Sequence, residues 1–160
     1  MNINYRFAFS VLVLLSALFF SGCAGTPIPA GVGVGPEGSV PSPAPPPDSP
    51  NCVSSFVDPG EDAVHGILPI PRTNLDAPGA QARIRAVLES EDRTEIFADR
   101  PGYIHAVQYT KVWKFPDDVE FWFPSNEEVI HFRSAARLGK GDMGVNRKRM
   151  ERIRTAFIEG

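Results

Sequence analysis

The sequence predicts a small two-layer α+β domain, in which two helices cover a mainly antiparallel sheet of roughly four strands. Three observations predict it. Residues 103–134 hold runs of alternating aromatic, β-branched and polar residues, the period-two pattern of strands with unlike faces. The turns between those runs are short, which favours an antiparallel meander, because a parallel return needs a crossover. On either side, residues 76–90 and 146–158 repeat apolar residues at helical spacing, so each can lay one stripe on the sheet.

Before that domain come two segments of different character. Residues 2–6 are short and polar with one positive charge, and residues 7–20 are almost wholly apolar. The apolar run falls short of the roughly 20 residues a membrane span needs. It has the form of a secretory signal peptide. Its end, Phe20-Ser21-Gly22-Cys23, resembles the lipobox of bacterial lipoproteins, with Phe20 in place of the usual leucine. That resemblance implies removal of residues 1–22 and diacylation of Cys23. The alternatives are an uncleaved anchor and an ordinary signal peptide. Two acyl chains hold a protein stably where one binds marginally. Ala24 follows the cysteine, which resembles the sorting pattern of outer-membrane lipoproteins. The expected location is the cell envelope, lipid-anchored and facing the periplasm if the host has an outer membrane.

Residues 23–50 read as a tether. Pro41-Ser42-Pro43-Ala44-Pro45-Pro46-Pro47 favours extended polyproline II. Large apolar residues that could repay ordering are lacking. A semi-rigid spacer is the expectation, and a ligand for a proline-reading groove is the alternative.

Residues 51–160 suffice for one modest core. Residues 51–74 look irregular, an extended arm with isolated apolar residues such as Phe56, Val57, Ile67 and Ile70. Asp76 can cap a helix that tolerates Pro78 in its first turn. Ala80, Ile84, Val87 and Leu88 supply its apolar stripe. Residues 94–98 form a short strand, and Arg100-Pro101-Gly102 turns the chain. In residues 103–114, Tyr103, His105, Val107 and Tyr109 share one face, and Ile104, Ala106 and Gln108 the other. Pro116-Asp117-Asp118 reads as a turn or bulge, followed by a strand over 119–123. In residues 129–134, Ile130 and Phe132 point one way, His131 and Arg133 the other. Met150, Ile153 and Phe157 form the apolar stripe of the last helix.

Four segments carry a resemblance to a known family: Asn51-Cys52-Val53-Ser54-Ser55, Phe115-Pro116-Asp117-Asp118-Val119-Glu120, residues 131–139 (HFRSAARLG) and residues 142–149 (DMGVNRKR). Together they resemble the family catalogued as domain of unknown function 1499, over most of residues 51–160. Many of its bacterial members are exported or membrane-associated, in agreement with the N-terminus. The resemblance implies no activity, substrate or catalytic residue.

The residues themselves offer few candidates. With Cys23 acylated, Cys52 is an unpaired cysteine. It is either a thiol nucleophile, with His105 or His131 as base, or a buried small hydrophobe. His131 and Arg133 share a strand face, and a hairpin brings Asp118 near. That cluster is either an anion or polar-ligand site, with an acid orienting His131, or a surface network fixing the hairpin. Residues 131–160 hold eight Lys and Arg against three acids, in a chain of net charge −3. They suggest an anionic partner, with Arg137, Asn146 and Arg147 beside His131 and Arg133 as ligand-binding residues. The alternative is a solvated face whose arginines pair with acids such as Asp117, Glu120 and Glu127. Export excludes nucleic acid as partner. Asp58, Glu61 and Asp62 near His65 are a weak divalent-metal possibility only, so no metal site is assigned. No phosphate-binding loop, dinucleotide fingerprint or nucleophile elbow is present, and no cofactor is expected.

Three functions compete. The first is an envelope lipoprotein that binds an anionic or amphiphilic envelope molecule, or assists an envelope complex. The second is an envelope hydrolase or thiol-dependent enzyme using Cys52 or the His131, Arg133 and Asp118 cluster. The third is a structural adaptor for another envelope protein. The sequence favours the first, through its anchor, spacer, aromatic-rich sheet and basic end.

Overall fold

The architecture was obtained as a computed structural model that describes residues 45–160. The signal peptide, Cys23 and most of the tether lie outside the described residues. The elements run β1 (Cys52–Ser54), β2 (Ile70–Pro71), α1 (Ala77–Ser90), β3 (Thr94–Arg100), β4 (Tyr103–Tyr109), β5 (Pro116–Trp122), β6 (Val129–Ala136) and α2 (Val145–Glu159). The sheet order is β1-β6-β5-β4-β3, with β2 also on β6, and these strand pairings are antiparallel.

The class is thus α+β with a mostly antiparallel sheet, and six strands replace the expected four. The two extra strands lie in the stretch read as an irregular arm. They are three and two residues long, too short to show alternation. Pairing with β6, 58 to 83 residues away, defines them.

Both helices lie on the same face and share one core with it. Ala80, Ile84 and Leu88 of α1 and Met150, Ile153 and Phe157 of α2 meet Ile104, Ala106, Val119, Phe121, Ile130 and Phe132 of the sheet. Burial of each large apolar side chain contributes about 1.5–3 kcal/mol. Local signals start the helices. Asp76 caps α1, its Oδ1 accepting from the Gly79 amide at 2.8 Å. The carboxylate of Asp142 accepts from the amides of Gly144 at 2.9 Å and Asn146 at 2.7 Å at the start of α2.

Two strand bounds differ from expectation. Pro116-Asp117-Asp118 is strand, not turn, and all of β5 is buried. Strand is possible for these acids because arginines remote in sequence compensate them, Arg149 for Asp117 and Arg137 for Asp118. β4 ends at Tyr109. Residues 110–115 leave the sheet as a loop, closed by Thr110 N–H donating to Phe115 O at 2.9 Å, with Lys114 at a left-handed φ of 55°.

Alternation puts the remaining residues on the opposite face. Cys52, Tyr103, His105, Asp118, Glu120 and Arg133 point there, and all six are buried.

Candidate functional site

On that second face the acids of β5 are each gripped by two groups. Glu120 is fully buried. It accepts from Tyr103 Oη at 2.8 Å and from Arg133 Nη1 at 3.3 Å. Asp118 pairs with His105 Nε2 at 2.8 Å and takes a two-point clamp from Arg137, Nε at 2.9 Å and Nη2 at 2.8 Å. Such forked pairing is the strong form of a charge-assisted bond. Burial alone would raise the Asp118 carboxyl, but the bonds from His105 and Arg137 outweigh it and hold the pKa below its ordinary value. Burial, then Glu120, push the Tyr103 phenol well above the usual range. Tyr103 therefore stays neutral and donates.

Cys52 sits at the edge of this network, 1 % exposed, with its Sγ 3.8 Å from its neighbour's carbonyl, Val53 O. Burial raises its pKa, and the Arg133 guanidinium only partly offsets that. A thiol held protonated is a poor nucleophile. The charges acting most on it are Arg133, Glu120 and Asp142, not either histidine proposed as its base.

The expected grouping of His131 with Asp118 does not form. Strand register sets Trp122 opposite His131 and Ala135 opposite Asp118, so the two are separated along the sheet. The histidine that Asp118 holds is His105. His131 has Ser55 Oγ at 3.2 Å from Nδ1 and Glu127 Oε2 at 3.0 Å from Nε2. Its ring stacks on Phe56, with centroids 4.4 Å apart.

Nor do the other proposed ligand residues converge. Arg133 and Arg137 serve the β5 acids. Asn146, fully buried, accepts from Ser134 Oγ at 2.7 Å and donates to Asn51 O at 2.9 Å. Arg147 fans onto the carbonyls of Ala63 and Val64, each at 3.2 Å, and Gly66 at 2.9 Å. Along α2, Arg149 pairs with Asp117, Arg152 with Glu91 and Arg154 with Glu151. The basic count of the C-terminal residues is largely spent inside the fold. His65 bonds Asp62 Oδ2 at 2.6 Å. Among the described residues no group of three His, Cys, Asp or Glu side chains is placed to hold a metal ion.

A cleft opens at one end of the sheet, where the β3–β4 and β5–β6 turns meet the start of α1. Its volume is about 1050 Å³, and its lining includes Phe56, Pro78, Pro101, Trp122, Phe123 and Pro124. Arg85, Asp99, Arg100 and Glu127 give it a polar margin, and His131 reaches it as well. Gln81 braces this end. Its Nε2 donates to Asp99 Oδ1 at 2.6 Å and Arg100 O at 2.8 Å, and its Oε1 accepts from the Gly102 amide at 2.9 Å. Arg85 pairs with Asp99. Phe56 meets Trp122 edge-on at 5.3 Å. His105 and Asp118 do not line this cleft, so the one buried His–Asp pair described above is shut off from it.

Sequence reasoning found His131 but missed Phe56, Trp122 and the proline-bearing turns. A topological signal was available. In a meander, alternate turns lie at the same end, which brings Pro101 and Pro124 together.

The fold and cleft define a small α+β domain with a ligand-sized recess at the strand ends and an ion-paired sheet face. The chain belongs to the family described as Protein of unknown function (DUF1499), whose model matches residues 44–157. No curated protein and no solved structure matches the chain.

Proposed function

We propose that the protein is a membrane-anchored envelope lipoprotein whose domain binds an amphiphilic envelope molecule in the cleft beside Trp122. The observation that carries the binding reading is the cleft itself. Its volume of about 1050 Å³ suits a drug-sized or lipid-sized ligand, and small-molecule sites combine apolar lining with few polar groups. Phe56, Trp122 and Phe123 would hold the apolar part, and Arg85, Asp99 and Glu127 the headgroup. The paired state of Arg85 favours an amphiphile over a purely anionic ligand. The lipobox-like Phe20-Ser21-Gly22-Cys23 supports the anchor. The location is then the envelope, facing the periplasm of a host with an outer membrane.

The test is to purify the full chain from its own envelope, extract it, and identify bound small molecules by mass spectrometry beside a Phe56→Ala variant. A molecule enriched on the wild type and depleted on the variant supports the reading. Equal recovery on both removes it. Membrane fractionation of Cys23→Ala tests the anchor separately, since undiminished retention would sink the lipoprotein assignment.

A further inference from the structure

At the end of the sheet opposite the cleft, apolar side chains stand in water. Among the described residues eleven large hydrophobic side chains are exposed, and six of them lie in two loops at this end. The β4–β5 loop carries Val112 at 73 %, Trp113 at 75 % and Phe115 at 46 % exposure. The β6–α2 loop and the first residue of α2 carry Leu138 at 45 %, Met143 at 92 % and Val145 at 38 %. The loops are neighbours, because Arg137 N–H donates to Pro116 O at 3.1 Å, and Lys111 and Val145 line one recess. Lysines interleave with the apolar residues. Lys111 and Lys114 bracket Val112-Trp113, and Lys140 and Lys148 flank Met143, all four exposed. None of them has an acidic partner among the described residues. Asp142, the acid within these loops, is turned onto the amides that start α2.

We propose that these two loops form a membrane-docking surface, in which Trp113, Val112 and Met143 enter the interface while Lys111, Lys114 and Lys140 bind anionic lipid headgroups. A tryptophan among lysines is the composition of the membrane–water boundary. Lysine stems lie along the apolar zone while their ammonium groups stay at headgroup level. A protein partner would have to cover the same apolar patch while matching four unpaired positive charges. An anionic bilayer meets both demands without shape complementarity. The junction with the tether also lies here, since Asn51 Nδ2 donates to Gly139 O at 2.8 Å. A chain already held at a membrane by its N-terminal segment presents this end at high effective concentration, so that weak insertion suffices. The proposal does not depend on the cleft holding a ligand.

The experiment reconstitutes the full chain into phosphatidylglycerol vesicles whose acyl chains carry bromine, a contact quencher of tryptophan. The chain has two tryptophans, and Trp122 is 4 % exposed at the opposite end. The expected result is bromine-dependent quenching that is lost in Trp113→Phe. Quenching should weaken in phosphatidylcholine vesicles, at high salt, and in Lys111→Gln, Lys114→Gln and Lys140→Gln. Removing one lysine is expected to weaken loop association about fivefold. Because the readout is the depth of one side chain, it holds however the chain is anchored. No quenching in phosphatidylglycerol overturns the proposal and assigns the patch to a protein partner. Equal quenching in Trp113→Phe also overturns it, placing the contact at Trp122. Equal quenching in the two lipids overturns the anionic-headgroup assignment.

Discussion

His105 and Asp118 are joined diagonally across β4 and β5, Nε2 to Oδ1 at 2.8 Å, although the residue directly opposite His105 is Glu120. The diagonal leaves Glu120 to Tyr103 and Arg133 and gives Asp118 both a ring and a guanidinium. Two acids on one strand face thereby take different hydrogen-bond partners.

Replacing Asp118 by Asn should therefore be expensive. It removes the charge of a carboxylate, 2 % exposed at its side chain, that Arg137 clamps at two points and His105 meets at a third. Breaking one partner of a buried pair costs about 3–5 kcal/mol. Urea denaturation of Asp118→Asn measures this, and a loss under about 1 kcal/mol would show that the pair is held in effectively aqueous surroundings.

The same carboxyl sets an acid limit. Its folded pKa lies below the ordinary 3.8, so the unfolded chain binds protons more readily in that range. Its stabilisation is fully present above pH 3.8 and is lost as pH falls through the depressed folded value. Asp117 has the opposite sign. Burial raises its pKa despite Arg149, so its contribution falls as pH rises from 3.8 through the raised value. Asp118→Asn should flatten the stability profile below pH 3.8, and an unchanged slope there would contradict the assignment.

Cys52 should behave as packing. Mass-spectrometric mapping of thiol labelling at neutral pH should find it protected in the folded chain and modified quickly in denaturant. Cys52→Ala should be tolerated better than Cys52→Ser, which puts a hydroxyl into the same buried space. Rapid labelling of the native protein would revive the thiol-enzyme reading.

Arg147→Ala should loosen the 58–66 loop without changing affinity for anionic vesicles. Hydrogen exchange should rise at the Gly66 amide, which donates to Asp62 O at 2.7 Å in the loop that Arg147 pins. Arg147→Lys should restore part of the protection, because all three bonds leave one nitrogen, Nη2, and an ammonium group also carries its donors on one nitrogen. Loss of vesicle binding with unaltered exchange would reverse this view of Arg147.

In the cleft, Phe56→Ala should cost little stability, since Phe56 is 45 % exposed. It should nevertheless weaken binding of a cleft ligand, by removing the ring stacked on His131. Equilibrium binding of the molecule recovered by extraction separates the two effects. A large loss of stability with unchanged affinity would make Phe56 a structural residue only.

Where the physics is local, the sequence was readable. The Asp76 cap, Pro78 in the first turn and the stripes of α1 and α2 all depend on residues within a few positions, as does the alternation of Ile130 and Phe132 with His131 and Arg133. Residues 116–118 were misread because two adjacent aspartates after a proline are turn-forming in water. Their partners, Arg137 and Arg149, lie 19 and 32 residues away. β1 and β2 were missed for the same reason, being strands only by virtue of β6. Of the proposed ligand residues, His131 alone borders the cleft. Type and spacing could not show that Arg133, Arg137 and Arg147 are consumed by acids and carbonyls of the fold, because that depends on register.

Asn51 has a mechanical consequence. Its carbonyl accepts from the Ala136 amide at 2.9 Å and from Asn146 Nδ2 at 2.9 Å, and its own Nδ2 donates to Gly139 O. One residue is thus riveted to the end of β6, to the following loop and to α2. A pull arriving along the proline-rich segment meets these three bonds before it can peel the three-residue β1 from the sheet edge. Asn51 works as a strain relief, so that a tug on the chain before it reaches the domain without unzipping the sheet edge.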